Sequence, residues 1–136
     1  MSTAPAFAKT TANGFTVQTT AESNVFTAGS GAESLISPLI STNVDNINDK
    51  KLIMGLDVTV AYANVAATLV LQASHNGTDF VTYATLSADT EPDQTGVKLF
   101  VVDTTNLFAP FYRLVFNPTT LNAGTSGKAK FFFANK

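Results

Sequence analysis

The sequence predicts an all-β chain: an antiparallel two-sheet β-sandwich, jelly-roll-like, with an extended N-terminal arm. Three observations predict it. Period-two alternation of apolar and polar residues runs through 51–62. Several further short β-rich runs follow, separated by turn chemistry. The first 34 residues are poor in large aliphatic side chains. The division is therefore residues 1–34 as a partly extended arm and 35–136 as one sandwich domain.

The arm is dominated by Ala, Thr, Ser, Gly and Asn, with Phe7, Phe15, Val17, Val25 and Phe26 as its sizeable apolar groups. So little apolar area cannot offset the entropy of ordering the segment alone. Its spaced phenylalanines suit anchors that dock on another surface. A loose tail, or an ordinary first strand of the fold over Gly14–Thr19, is the other reading.

Leu35–Ser41 reads as a short edge strand interrupted by Pro38. In 51–62, Leu52, Met54, Leu56, Val58, Val60 and Tyr62 share one face, opposite Lys51, Gly55, Asp57 and Thr59. A strand is expected over Ala67–Ser74 and its return over Phe80–Leu86. Between them lies Asn76-Gly77, the dipeptide of a type I′ hairpin turn with positive φ at both positions. Ser87–Gly96 is a polar loop and Val97–Asp103 a strand rich in β-branched residues. Thr104–Pro110 is irregular, with Pro110 favouring extended geometry at Ala109. Phe111–Phe116 is a strand with Tyr112, Leu114 and Phe116 on one face and Arg113 on the other. Asn117-Pro118 and Asn122-Ala123-Gly124 supply turns before a last strand, Lys128–Phe133. Aromatics fall on both faces of that strand at Phe131-Phe132-Phe133. This implies burial on both sides, within the sandwich or at a subunit interface.

Composition narrows the function. Charged residues are 13% and the net charge is −2, against about 25% charged in typical domains. Eight scattered Lys and Arg give no basic stripe, so a nucleic-acid partner is not expected. No apolar run reaches a membrane span of about 20 residues. Met1–Pro5 lacks the basic and apolar regions of a secretory signal. With no cysteine, thiol catalysis, thiolate metal sites and disulfides are excluded.

Candidate chemistry is sparse. His75, the one histidine, sits beside the Asn76-Gly77 turn and reads as a surface residue. Asp89, Glu91 and Asp93 have the spacing that opens a calcium loop. The later positions fail, with Gln94 for the turn glycine and Phe100 for the bidentate Glu. Asp57, Asp79 and Asp103 show no pairing that suggests sugar hydrolysis. Arg113, the only arginine, is expected to pair with Asp103 or Asp57 across a sheet, or to reach a partner chain. No enzyme, metal or cofactor is expected. The candidate interface residues are Phe7, Phe15, Val17, Phe26, Phe131 and Phe133.

Two segments carry a resemblance. One is Leu71-Gln72-Ala73-Ser74-His75-Asn76-Gly77-Thr78-Asp79-Phe80. The other is Ala109-Pro110-Phe111-Tyr112-Arg113-Leu114, preceded by the Thr95-Gly96 loop end and the Val101-Val102-Asp103 strand end. With these features, the stretch from Leu69 to Phe116, about a third of the chain, resembles small β-sandwich virion proteins of tailed bacteriophages, in particular head decoration (cement) proteins. The resemblance implies a jelly-roll-like sandwich on the outer capsid surface of a virion, with the major capsid protein as partner. It also implies a homo-oligomer, a homotrimer or else a dimer. It brings no catalytic residues. Two other readings fit the same features: a tail or baseplate adaptor, and a non-catalytic carbohydrate-binding module. The module would want an exposed aromatic platform. The chain has no Trp, and Tyr62, Tyr83 and Tyr112 all fall in expected strands.

Overall fold

The computed structural model describes residues 2–24, 34–42, 51–60, 67–86, 96–103, 109–118 and 127–135. The strands are β1 (Ser2–Thr3), β2 (Ala8–Ala12), β3 (Phe15–Thr19), β4 (Ser23–Asn24), β5 (Leu35–Ile36) and β6 (Ile40–Ser41). They continue as β7 (Lys51–Val60), β8 (Ala67–Ser74), β9 (Phe80–Leu86), β10 (Gly96–Asp103), β11 (Phe111–Pro118) and β12 (Lys128–Asn135). No helix occurs among the described residues.

The strands form two sheets. Sheet I has the order β1-β5-β11-β8-β9, with β6 also on β11. Sheet II has the order β10-β7-β12-β3-β2, with β4 also on β12. Every pairing is antiparallel except β1 with β5. Apart from the β8–β9 hairpin within sheet I, successive long strands from β7 to β12 cross between the sheets, and β3-β12-β7-β10 faces β5-β11-β8-β9. That is the jelly-roll arrangement of two four-stranded sheets.

The core follows from the alternation. On sheet II, Met54, Leu56 and Val58 of β7 point inward with Ala129, Phe131 and Phe133 of β12. On sheet I they meet Leu69 and Leu71 of β8 and Tyr112, Leu114 and Phe116 of β11. Each large side chain removed from water here contributes about 1.5–3 kcal/mol. Beyond Val58 a register shift against Lys128 and Ala129 breaks the alternation, and Val60 emerges 46% exposed.

A second irregularity lies between β8 and β9, where Leu71 opposes Ala84 and Gln72 opposes Thr82. Tyr83 is the extra residue. Its ring meets Tyr112 edge-on, with centroids 5.9 Å apart.

Pro38 interrupts the edge strand as expected, giving β5 and β6. Ser37 bridges the gap: its amide donates to the Leu114 carbonyl at 2.8 Å. Its Oγ accepts the Leu114 amide at 2.8 Å and donates to the Pro38 carbonyl at 2.9 Å.

The β8–β9 hairpin has the expected strands but another turn. Ser74 and Phe80 close a five-residue loop, and only Gly77, at φ 82°, has positive φ in it. Side chains build this loop instead. Ser74 Oγ accepts the amides of Asn76 and Gly77 at 3.2 and 2.9 Å. Asn76 Oδ1 accepts those of Thr78 and Asp79, both at 2.9 Å. The two-residue turn with positive φ at both positions occurs at Asn13-Gly14 (φ 50° and 81°), joining β2 to β3.

The segment expected to extend as an arm is, over residues 2–24, docked on its own chain. β1 joins sheet I, while β2, β3 and β4 join sheet II. One of its expected anchors packs in cis: Phe7 meets Phe133 edge-on at 4.8 Å, and Ala4, near it in the chain, is buried. Residues 25–33, including Val25 and Phe26, lie outside the described residues.

Candidate functional site

The expected interface residues separate into two groups. Phe131 and Phe133 are fully buried between the sheets. Their alternation points both inward, so they offer nothing to a partner; this corrects their assignment. Phe132 takes the opposite face and is half-buried. Phe7 is half-buried against Phe133. Phe15 and Val17 are half-buried on β3.

Phe15 and Val17 belong to the outer face of sheet II. On β3 the buried residue Gln18 opposes Phe133, which makes Val17 outward. Val17 opposes Ala134, and Ala134 opposes Ile53, which is 37% exposed. Beside that row, Phe132 opposes Gly55 on β7 and Thr19 on β3. Gly55 presents no side chain, so the Phe132 ring has room to lie across its backbone. Ile53, Phe132, Ala134, Val17 and Phe15 thus form an apolar outer face, bordered by the opposed pair Asp57 and Lys130.

The outer face of sheet I holds Arg113. Since Tyr112 and Leu114 point inward, Arg113 points out from β11. Its expected partners are not in reach: Asp57 and Asp103 lie on β7 and β10 of the other sheet. Two neighbours from sheet I hold it instead. Nε donates to Gln72 Oε1 at 2.7 Å, across the register pair that joins β11 to β8. The guanidinium carbon lies 3.8 Å from the Phe80 ring centroid. Burial pushes the Arg113 pKa below its ordinary value, because desolvation disfavours the charged form.

Around this cation the face is apolar. Phe111 and Val115 flank Arg113 on β11, and Val70 opposes Val115 on β8. Leu39, 44% exposed, stands at the rim. The β8–β9 hairpin tip leans over the same corner. A methyl group placed on Gly77 would meet Leu39 at 3.6 Å and Phe111 at 3.8 Å.

The remaining candidates are placed as follows. His75 is exposed on the hairpin tip. Tyr112 is buried, and its hydroxyl accepts the Ala109 amide at 3.1 Å. With Tyr83 packed against it, these two rings are core. Tyr62, Asp89, Glu91 and Asp93 lie outside the described residues. Among the described residues, no three His, Cys, Asp or Glu side chains are grouped to hold a metal.

The residues that carried the resemblance now have structural reasons. Ser74, Asn76 and Asp79 knit the hairpin tip. Ala109, Pro110 and Tyr112 form a bracket that Thr42 closes, its amide donating to the Pro110 carbonyl and its Oγ1 to the Ala109 carbonyl. What the sequence could not expose is the Arg113–Gln72–Phe80 cluster, because its three members come together only through strand register. Fold and faces define a jelly-roll β-sandwich with apolar side chains on both outward sheet surfaces. No family model matches the chain, and no match was found among curated proteins.

Proposed function

We propose that the chain is a structural virion protein of the decoration or cement type. In this reading it binds the outer surface of a phage capsid and bridges neighbouring major capsid protein subunits. The observation that carries the reading is the apolar outer face of sheet II, where Phe15, Val17, Ile53 and Phe132 stand where an isolated antiparallel sheet would place polar residues. The resemblance of Leu71–Phe80 and Ala109–Leu114 to phage head decoration proteins supports it. A shell loaded with many identical copies gains strength from modest contacts, because the contacts act together.

The test is co-sedimentation of the purified chain with isolated phage heads, followed by heating of loaded and bare heads. Saturable loading with a higher rupture temperature is expected. Val17→Asp should abolish loading while the variant stays folded. Heads that take up no protein, or that rupture at the same temperature when loaded, would overturn the reading.

A further inference from the structure

Asn-Gly occurs twice in the chain, at Asn13-Gly14 and Asn76-Gly77, and the fold treats the two pairs differently. Asparagine before glycine is chemically labile, because glycine has no side chain to keep its backbone nitrogen away from the preceding carboxamide. At Asn13-Gly14 nothing restrains the pair. Both residues are exposed on the β2–β3 turn. Among the described residues no hydrogen bond holds the Asn13 carboxamide or the Gly14 amide. At Asn76-Gly77 the nitrogen and both ends of the carboxamide are held. The Gly77 amide donates to Ser74 Oγ at 2.9 Å. Asn76 Oδ1 accepts the Thr78 and Asp79 amides, both at 2.9 Å, and Nδ2 donates to Asp79 Oδ2 at 2.7 Å.

The strands beside the two turns differ in the same direction. β2 is the outermost strand of sheet II, pairs with β3 alone and is exposed at all five residues. Opening this hairpin uncovers no buried residue of β2, so its turn reaches other conformations at low cost. β9 is also outermost in its sheet, yet its Tyr83 ring packs edge-on against the buried Tyr112.

We propose that Asn13 is a site of spontaneous deamidation, passing through a succinimide to isoaspartate and aspartate, while Asn76 is protected. Water is the only co-reactant. The Gly14 amide gives its proton to hydroxide, and its nitrogen bonds to Asn13 Cγ. The Cγ–Nδ2 bond breaks, and ammonia leaves with a proton taken from water, which regenerates the hydroxide. Water then opens the succinimide ring. Cleavage at Cγ gives aspartate, and cleavage at the main-chain carbonyl carbon gives isoaspartate, with the chain now running through the side chain. Either product adds one negative charge to a chain of net charge −2. Isoaspartate also lengthens the backbone of the turn by one methylene. A two-residue turn with positive φ at both positions cannot absorb that length, so β2 loses its register with β3. The reaction is independent of the capsid reading.

The test is incubation of the full chain in mildly alkaline buffer, read by peptide mapping with mass spectrometry and by enzymatic methylation of isoaspartate. Asn13 is expected to convert at least about tenfold faster than Asn76, a barrier difference of about 1.4 kcal/mol. In concentrated urea the two sites should convert at similar rates, since the dipeptide is the same. Asp79→Ala frees Asn76 Nδ2 and Ser74→Ala frees the Gly77 amide. Each should speed Asn76 toward the Asn13 rate and leave Asn13 unchanged. Asp79 is exposed on the tip, so its variant remains informative even if Ser74→Ala folds poorly. The converted chain should exchange its Ala8–Ala12 amides faster than the fresh chain. An unmodified Asn13, or equal rates at the two sites in the folded chain, overturns the proposal. A rate difference that persists in urea overturns it as well, because neighbouring residues and not the fold would then set it.

Discussion

Thr20 is hydrogen-bonded to Phe131 through two different groups. Its amide donates to the Phe131 carbonyl at 2.9 Å, and its Oγ1 accepts the Phe131 amide at 2.9 Å. A hydroxyl thus stands where the ladder would use a backbone carbonyl. The chain can leave the strand direction between β3 and β4 without stranding a buried N–H. Ser37 does the same for Leu114 in the other sheet, immediately before Pro38. Each sheet has an interrupted strand at β12 or β11, and each interruption is closed by one buried hydroxyl.

Thr20→Val tests this device. The replacement keeps shape and removes the acceptor, leaving the Phe131 amide buried without a partner. A loss of about 1–3 kcal/mol is expected. Thr20→Ser keeps the oxygen and should lose less. Urea unfolding of the two variants separates the bond from the packing.

The two Asn-Gly hairpins should respond differently. Asn13 needs only a positive φ, so Asn13→Gly should shift stability by less than about 0.5 kcal/mol. Asn76 supports the five-residue loop through its side-chain amide, and Asn76→Gly removes those bonds at about 1–3 kcal/mol. Thermal unfolding of both variants against wild type makes the comparison.

Arg113→Met tests what the cation contributes to stability. The cation has a half-exposed site, and burial disfavours its charge. A thioether over Phe80 keeps the stacking contact. Stability is expected to stay within about 1 kcal/mol of wild type, since apolar replacement of a desolvated charge is often neutral. Calorimetry of the variant beside wild type makes the check.

The docked N-terminal segment makes a fourth prediction. Phe133→Ala opens a cavity in the core and should cost about 3–5 kcal/mol. Phe7→Ala removes one face of the Phe7–Phe133 contact from a half-buried position and should cost about 1 kcal/mol, the size of an aromatic pair. Hydrogen exchange after Phe7→Ala should accelerate at Ala8–Ala12 more than at Lys51–Val60.

The strands that could be read from sequence are those with strong internal alternation. Ala67–Ser74 and Phe80–Leu86 were expected with the bounds the structure gives. Each has its own apolar period and its own turn signal. β3 was legible only as the other reading, a first strand over Gly14–Thr19, because its inward residue Gln18 and the buried Thr20 just after it are polar. Their burial is decided by Phe133 and Phe131, more than 100 residues away in the chain. The turn assignment failed for a local reason: Asn-Gly occurs twice, and Ser74 and Asp79 convert the second occurrence into a side-chain-built loop. The Arg113 pairing failed for a topological one. Asp57 and Asp103 are strand residues of suitable type, yet only the strand order shows that they belong to the other sheet.

One consequence of the pairing of β3 with β12 concerns synthesis. Thr16 faces Asn135 and Thr19 faces Phe132 across that ladder. A ribosome releases β3 more than 100 residues before β12, and the ladder cannot close until β12 has cleared the exit tunnel. Until then, β2 and β3 lack their long neighbour, and a lone hairpin is marginal in water. The N-terminal segment, poor in aliphatic residues, spends this interval exposed without becoming adhesive. The spare composition that made it read as an arm is what a waiting strand requires.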